Sequence, residues 1–439
     1  MTEKRPGRTT GLLRSAATRL SWGVADQGVS SLTNLVVGAV VARALGPVEF
    51  GAFSLAWVTY SVALNLSRGL ATDPLAVRFS GVAIERWRAA TAQATTAAFG
   101  LGLVAGLVCV VAGGVMGGPV GAAFMALGLV LPPLLLQDSW RFAFFATGAG
   151  HRAFVNDAVW AVLLVPAMYL AASAESVFAY VLAWGVAGAL AAVFGYLQTR
   201  LRPVRVGAAV AWIRHQSDLG VRYMVENVSA GVAAQLRMYG LGVLAGLADV
   251  GAVRGGQLLL GPFLAVMMGL SSVAVPEAAR MLLRSARRLA VFCLAFSAVQ
   301  AVVALVWGAA LLTLVPERFG AFLLGDVWPA ALALVVPTTL LVVFGCFVDG
   351  AKAGLRALGA ARRSLRSQLA YAVLYVGFGL VGAVLDGARG STWGVAIAAL
   401  VGAAITWSQL RTGLRDYVAA RPSEQLAESA PLTDSKGGL

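Results

Sequence analysis

Long apolar stretches separated by short polar breaks run along almost the whole chain. A bilayer core is crossed by roughly 20 apolar residues in a helix, which makes the helix the natural ruler here. That ruler predicts twelve spans, near residues 21–44, 50–70, 91–113, 119–146, 153–173, 176–199, 222–246, 252–276, 289–314, 328–350, 367–388 and 391–411. The polar breaks alternate in character. One set is arginine-rich: Lys4, Arg5, Arg8, Arg14 and Arg19 before the first span, Arg200, Arg202, Arg205 and Arg214 in the middle, Arg362, Arg363 and Arg366 near the end. The other set carries little more than Arg43, Arg254, Arg318 and Arg389. The positive-inside rule places the first set in the cytoplasm. Both termini are then cytoplasmic, as an even number of spans requires, in a multi-pass protein of the cytoplasmic membrane.

The pattern also repeats. ALGPVEFGAFSLA (44–56) aligns with LAGLADVGAVRGG (244–256), matching Gly46 with Gly246, Glu49 with Asp249 and Gly51 with Gly251. Asp26 pairs with Glu226 at the same spacing, and Asp138, Arg141, Gly148 and Ala149 align with Asp349, Lys352, Gly359 and Ala360. A repeat of six spans keeps its orientation, so the halves relate by an axis along the membrane normal. The expected fold is an all-α polytopic membrane protein, two six-helix lobes around a central cavity. Its expected parts are a basic amino-terminal segment (1–20), a first lobe (21–199), a cytoplasmic linker (200–221), a second lobe (222–411) and a disordered tail (412–439). The stretch from Arg8 to Leu20 reads equally as an amphipathic helix on the inner leaflet or a basic tail.

Composition narrows the class. The 439 residues are 59% hydrophobic and 12% charged, with mean hydropathy +0.80, against about 25% charged in soluble domains. Net charge +14 and pI about 10.5 would suggest nucleic acid in a soluble protein, but here the charge follows the loops and no nucleic-acid partner is expected. Arginine outnumbers lysine 31 to 3, a composition of GC-rich bacterial genomes. Cys109, Cys293 and Cys346 lie in apolar stretches as packing residues. His151 and His215 sit in different loops, so no metal site or cofactor is expected. The glycines Gly377, Gly379 and Gly382 spell GxGxxG without a preceding strand and read as helix packing. No phosphate-binding loop and no catalytic constellation is present, which argues against an enzyme.

Polar groups inside spans carry the candidate chemistry, because a charge at a helix centre costs roughly 2.5–3.5 kcal/mol on the insertion scale. Gln27, Ser30, Ser31, Asn34 and Gly38 share one face of the first span, with Asp26 beside it. That face is either a cavity wall or a seam between helices. Arg237 is expected near the midplane of the seventh span on the face of Glu226, contacting substrate or forming an ion pair. Arg254 begins the eighth span. Arg68, Asp138, Arg141 and Asp157 lie towards the cytoplasmic leaflet, as vestibule residues or helix-end ion pairs, with Asp349 and Lys352 as counterparts.

Several stretches resemble bacterial polysaccharide-biosynthesis membrane proteins, the O-antigen flippase-like branch of the multidrug/oligosaccharidyl-lipid/polysaccharide exporter superfamily. They are DQGVSSLTNLVVGAVVARALGPVEFG (26–51), LLLQDSWRFAFFATGAGHRAFVNDAVWAVL (134–163), GQLLLGPFLAVMMGLSSVAVPEAAR (256–280), FLLGDVWPAA (322–331) and GLRALGAARRSLR (354–366). The resemblance implies a flippase moving a polyprenyl-pyrophosphate-linked oligosaccharide by alternating access, with the lipid bilayer and glycan-assembly enzymes as partners. It implies substrate contacts from Arg237, and less directly from Arg254 and Arg68; the spacing of Gln27 and Asn34 on one face makes them cavity-wall candidates beside these. Asp26, Glu226 and Asp157 are the candidates for ion coupling. A multidrug/cation antiporter of the same superfamily, a glycan polymerase or glycosyltransferase, and an assembly scaffold remain alternatives.

Overall fold

The computed structural model describes residues 7–79, 82–201 and 204–428, all of whose regular structure is helical. Within a bilayer every backbone polar group must bond inside its own segment, which leaves the helix as the solution for these apolar runs. The elements are α1 (Gly7–Ser67), α2 (Asp73–Arg78), α3 (Ile84–Met116), α4 (Gly118–Ala146), α5 (Gly150–Ala172), α6 (Val177–Thr199), α7 (Val206–His215), α8 (Ser217–Leu244), α9 (Leu247–Arg284), α10 (Ala286–Thr313), α11 (Glu317–Leu324), α12 (Trp328–Ala333), α13 (Val335–Ala357) and α14 (Ala361–Glu428).

Eight of the described stretches are long and apolar enough to cross a membrane. Two of these double back. α1 breaks at Gly46 (φ 74°, ψ 179°), and α14 breaks at Asp386 and Gly387. With these counted twice and α8 and α9 added, the chain makes twelve passes. The backbone turns at Gly46 and Gly246 have the same conformation, φ 74° and 99° with ψ near 180°, a region open to glycine and closed to most other residues. They join passes one to two and seven to eight, at what we term the glycine-turn end of the bundle. The opposite end carries the arginine-rich segments.

The second repeat is visible in hydrogen bonds. Gly148 and Gly359 have φ of 73° and 68°. The Gly148 N–H donates to Phe145 and that of Ala149 to Phe144, while Gly359 donates to Arg356 and Ala360 to Leu355, all at 2.9–3.0 Å. This nested pair is a glycine-terminated helix end, formed identically in passes four and ten.

Passes one to six form one lobe and passes seven to twelve the other. Most contact between them runs through α1 on one side and α8, α9 and the short helices α11 and the following turn on the other. Gly51 lies against the backbone of Leu247 and Gly251 against that of Pro47. On the seam between passes two and seven, Thr59 and Tyr239 share a 2.8 Å hydrogen bond. Arg43 stacks over Phe322, 4.4 Å from its ring centre.

The structure adds to or corrects the sequence reading at several points. The tenth pass is α13, 335–357, and the segment expected to begin it, Trp328–Ala333, is the separate helix α12. Leu334 alone separates them, its N–H donating to the Ala331 carbonyl at 3.1 Å in place of the α-helical i−4 bond. The linker 200–221 holds the short helix α7, whose buried Trp212 packs on Phe79 at 5.5 Å. The backbone is helical from Gly7 into the first pass, the first of the two readings left open for Arg8–Leu20, and it is helical to Glu428 in the tail, where disorder was expected from 412. The last eleven residues, 429–439, lie outside the described residues.

Candidate functional site

Polar side chains in the passes gather in three places. The first is in the amino-terminal lobe, towards the arginine-rich end. Pass two ends its regular α-helix at Ser67 and makes one π-helical turn, Arg68–Thr72, a local widening often found at functional positions. Arg68 leads that turn. Its Nε donates to Asp138 Oδ2 at 2.9 Å and its Nη2 to Oδ1 at 2.6 Å, a forked ion pair. Arg141, one turn beyond Asp138 on α4, lies 3.6 Å from the same carboxylate and 3.2 Å from Asp157 on α5. The side chains of Asp138 and Asp157 are each only 4% exposed. Desolvating such charges is costly unless they are paired, and here two arginines neutralise two carboxylates. Passes two, four and five are thereby tied together.

Gln137 and Asn156 complete this network and were not singled out in the sequence. Gln137 Nε2 donates to Asp157 Oδ1 at 2.8 Å and to Asn156 Oδ1 at 3.1 Å. Asn156 in turn donates to the Ala191 carbonyl of α6 at 2.9 Å. The signal was present as two adjacent polar pairs, Gln137–Asp138 and Asn156–Asp157, within apolar helices.

The second place is in the carboxy-terminal lobe. Arg237 is 1% exposed. It lies about two helical turns from the glycine-turn end of α8, nearer that end than the midplane position expected. Its guanidinium donates to Ser391 Oγ (3.0 Å), Tyr375 OH (3.3 Å) and Thr392 Oγ1 (3.4 Å). Gly379 gives its stem room, since a Cβ there would lie 3.2 Å from Arg237 Cγ. Thus the GxGxxG stretch is packing. No carboxylate among the described residues pairs with Arg237.

The third place lies between the lobes. Arg254 on α9 stands 5.3 Å from the ring centre of Trp57 in pass two. Its Nη1 donates to Gln257 at 3.4 Å, and no described carboxylate pairs with it. Trp57 continues into an aromatic cluster with Tyr60, Trp184 and Trp160. The sequence reading passed over these rings, although tryptophans well inside spans, away from the interfacial belts, were visible.

Other predicted residues are dispersed. Asp349 and Lys352 form a 4.0 Å pair on α13, with Asp349 57% exposed. They repeat Asp138–Arg141 in sequence without an equivalent of Arg68. Ser30 and Thr33 of pass one share a small recess with Asp157 and Trp160, so part of the predicted polar stripe faces the first network. Asn34 is half-buried on the same pass. The side chains of Asp26, Gln27 and Glu226 lie outside the described residues. Among the described residues no cluster of histidine, cysteine and carboxylates could hold a metal ion, and the three cysteines are buried and unpaired.

No protein-family model and no curated protein sequence matches the chain. Solved structures do. An inward-facing multidrug resistance MATE family transporter of the MOP superfamily superposes with a TM-score of 0.65 at 16% identity, covering 88% of this chain and 94% of that one. The lipid II flippase MurJ in an inward closed conformation gives 0.67 at 9% identity, covering 94% of each chain. A MOP superfamily transporter from Pyrococcus furiosus, described as having a binding pocket of reverse polarity, gives 0.51 at 16% identity over 91% of this chain and 95% of that one. At such identities the likeness is one of fold. Twelve passes, two six-helix lobes and these neighbours together give the chain the fold of the MOP superfamily of membrane transporters.

Proposed function

We propose that the protein is a flippase or exporter that carries a polyprenyl-pyrophosphate-linked oligosaccharide, or a related glycan precursor, across the cytoplasmic membrane by alternating access. One observation carries this reading. Asp138 and Asp157 are held by Arg68 and Arg141, whereas no described carboxylate pairs with Arg254 between the lobes. An unpaired cation in a dry site is expensive unless an anion meets it. A guanidinium suits pyrophosphate oxygens, which it binds in a forked geometry. Cationic drugs would be repelled by the same group.

In this reading the arginine-rich segments face the cytoplasm, where glycan-assembly enzymes deliver the cargo. Asp26 and Glu226 remain the coupling candidates. Asp157 joins them only by releasing Arg141 and Gln137. Arg237 contributes once the carboxy-terminal lobe rearranges. The rival is a multidrug antiporter on the same fold, which needs an interior acid free to exchange a cation.

The test is removal of the gene followed by leaflet-specific labelling of lipid-linked oligosaccharides. Accumulation on the cytoplasmic leaflet, corrected by the wild-type gene and not by Arg254→Gln protein present at normal level in the membrane, supports the reading. Unchanged leaflet distribution together with new sensitivity to cationic drugs transfers the assignment to the antiporter.

A further inference from the structure

The first lobe carries an apolar opening on its outer surface. α3 and α6 each pack along α4 and scarcely touch one another. The gap between them is a groove of about 420 Å³, floored by Pro133, Leu136 and Trp140 of α4 and walled by Phe99 of α3 and by Ala192 and Val193 of α6. Gly195 seats α6 on α4 beneath the gap, since a Cβ there would strike the Trp140 ring. Val193 is 56% exposed, so the groove opens on the face that meets lipid. Its far end, at Ala189, lies about 15 Å along the axis from the end of α6 at Thr199. The groove therefore belongs to the half of the bilayer at the arginine-rich end.

Few polar groups reach this groove, and charge gathers at its mouth. The hydroxyls of Thr95 and Thr96 are spent on the carbonyls of Thr91 and Ala92, at 2.8 and 2.7 Å. The Trp140 indole N–H is buried and meets no acceptor among the described residues. On α3, Arg88 shares a helical face with Thr95 and Phe99 and lies about 10 Å nearer the arginine-rich end than Thr95. Its Nη1 donates to the Thr199 carbonyl at 3.4 Å, which holds the guanidinium across to the end of α6. Arg200 follows at once, in the left-handed conformation (φ 52°) that ends α6. Both arginines are exposed, and no acidic residue is among the described residues that line the groove.

We infer that the groove is a site for an anionic phospholipid of the leaflet at the arginine-rich end: one acyl chain lies between α3 and α6, and the phosphate meets Arg88 and Arg200. The order of groups along the bilayer normal is that of the lipid itself, with cations at the surface for the phosphate and an apolar channel beneath for the chain. An ester carbonyl between the two gives the Trp140 N–H an acceptor, which a buried donor needs. Basic pockets between membrane helices take such headgroups, and guanidinium groups bind phosphate oxygens in a forked geometry. Filling by any membrane lipid accounts for the apolar walls, but it makes no use of two arginines brought together from α3 and α6. The site lies on the outer face of one lobe, apart from the interior cations of the transport reading, and does not rest on that reading.

The experiment is photo-cross-linking of full-length protein in phosphatidylcholine vesicles doped with phosphatidylglycerol or phosphatidylcholine carrying a diazirine in one acyl chain, followed by mapping of the labelled peptides. On the peptides holding Phe99, Trp140 and Val193, the wild type is expected to take about tenfold more label from phosphatidylglycerol than from phosphatidylcholine. Arg88→Gln combined with Arg200→Gln should bring that ratio close to unity and keep the phosphatidylcholine label, which also shows that the groove is still formed. Val193→Trp fills the groove and should lower both labels. Leu190→Trp, at an exposed position of the same helix outside the groove, should leave them unchanged. Equal labelling by the two headgroups in the wild type, or a ratio that survives loss of both arginines, overturns the site. Displacement of the label by polyprenyl phosphate, where excess unlabelled phosphatidylglycerol fails to displace it, gives the groove to a polyprenyl tail and overturns the phospholipid assignment as well.

Discussion

Gly51 and Gly251 occupy equivalent places in the two halves, and each lies on the other half's hairpin: Gly51 against the Leu247 carbonyl, Gly251 against the Pro47 carbonyl. The contact is reciprocal, as at a twofold axis, where the same surface is used by both partners. It brings the two backbones together at the glycine-turn end. A Cβ at Gly251 would lie 2.5 Å from the Pro47 oxygen, and one at Gly51 would collide with that of Leu247. We expect Gly51→Val and Gly251→Val each to destabilise the protein by about 1–3 kcal/mol, the usual cost of overpacking. Gly114→Ala is the control, since nothing lies within 4 Å of its Cβ position. Thermal unfolding in detergent measures all three, and a Gly114→Ala loss equal to the others would remove the close-approach argument.

The Asp138 carboxylate is shared by two arginines, so its loss strands two charges. Asp138→Ala should cost about 3 kcal/mol, in the range for breaking a buried ion pair. Adding Arg68→Leu should recover part of that loss, because the stranded charge goes with it. A double-mutant cycle on unfolding free energies reads the coupling. Strictly additive losses would mean that the pair contributes nothing beyond its separate parts.

Arg237 joins passes seven, eleven and twelve through three hydroxyls. Arg237→Met keeps most of the side-chain volume and removes a buried charge, so it should cost no more than about 1.5 kcal/mol. Arg237→Ala opens a cavity as well and should cost about 2–5 kcal/mol. Equal losses in the two variants would show that the hydroxyl bonds, and not the packing of the stem, hold these helices.

The paired helix ends at Gly148 and Gly359 should respond alike. Both have positive φ, where an alanine Cβ costs roughly 1–2 kcal/mol. Gly148→Ala and Gly359→Ala should each lower stability by about that amount, read from unfolding midpoints. A marked inequality would mean that one lobe relaxes at this turn and the other does not.

Much of the architecture was legible in the chain. Hydrophobic runs, arginine-rich breaks and the matches of Gly46 with Gly246 and Gly148 with Gly359 led to twelve passes and two halves. These features are local: helix length and loop charge depend on residues close in sequence. The short helices between 317 and 333 were missed because their apolar residues merge with the span that follows, and only docking against pass one and α9 separates them.

Partner choice was not legible. Arg68, Arg141, Arg237 and Arg254 looked alike as cations within or beside apolar spans. The fold gave the first two carboxylates, surrounded the third with hydroxyls and set the fourth over a tryptophan between the lobes. Asp138 lies seventy residues from Arg68, and no periodicity of either helix encodes their meeting. The sequence by itself determined which segments enter the membrane, because that depends on summed apolar transfer of neighbouring residues. The tertiary structure decided which buried charges are neutralised, because that depends on how each helix is rotated and what faces it across a few ångströms of low-dielectric space.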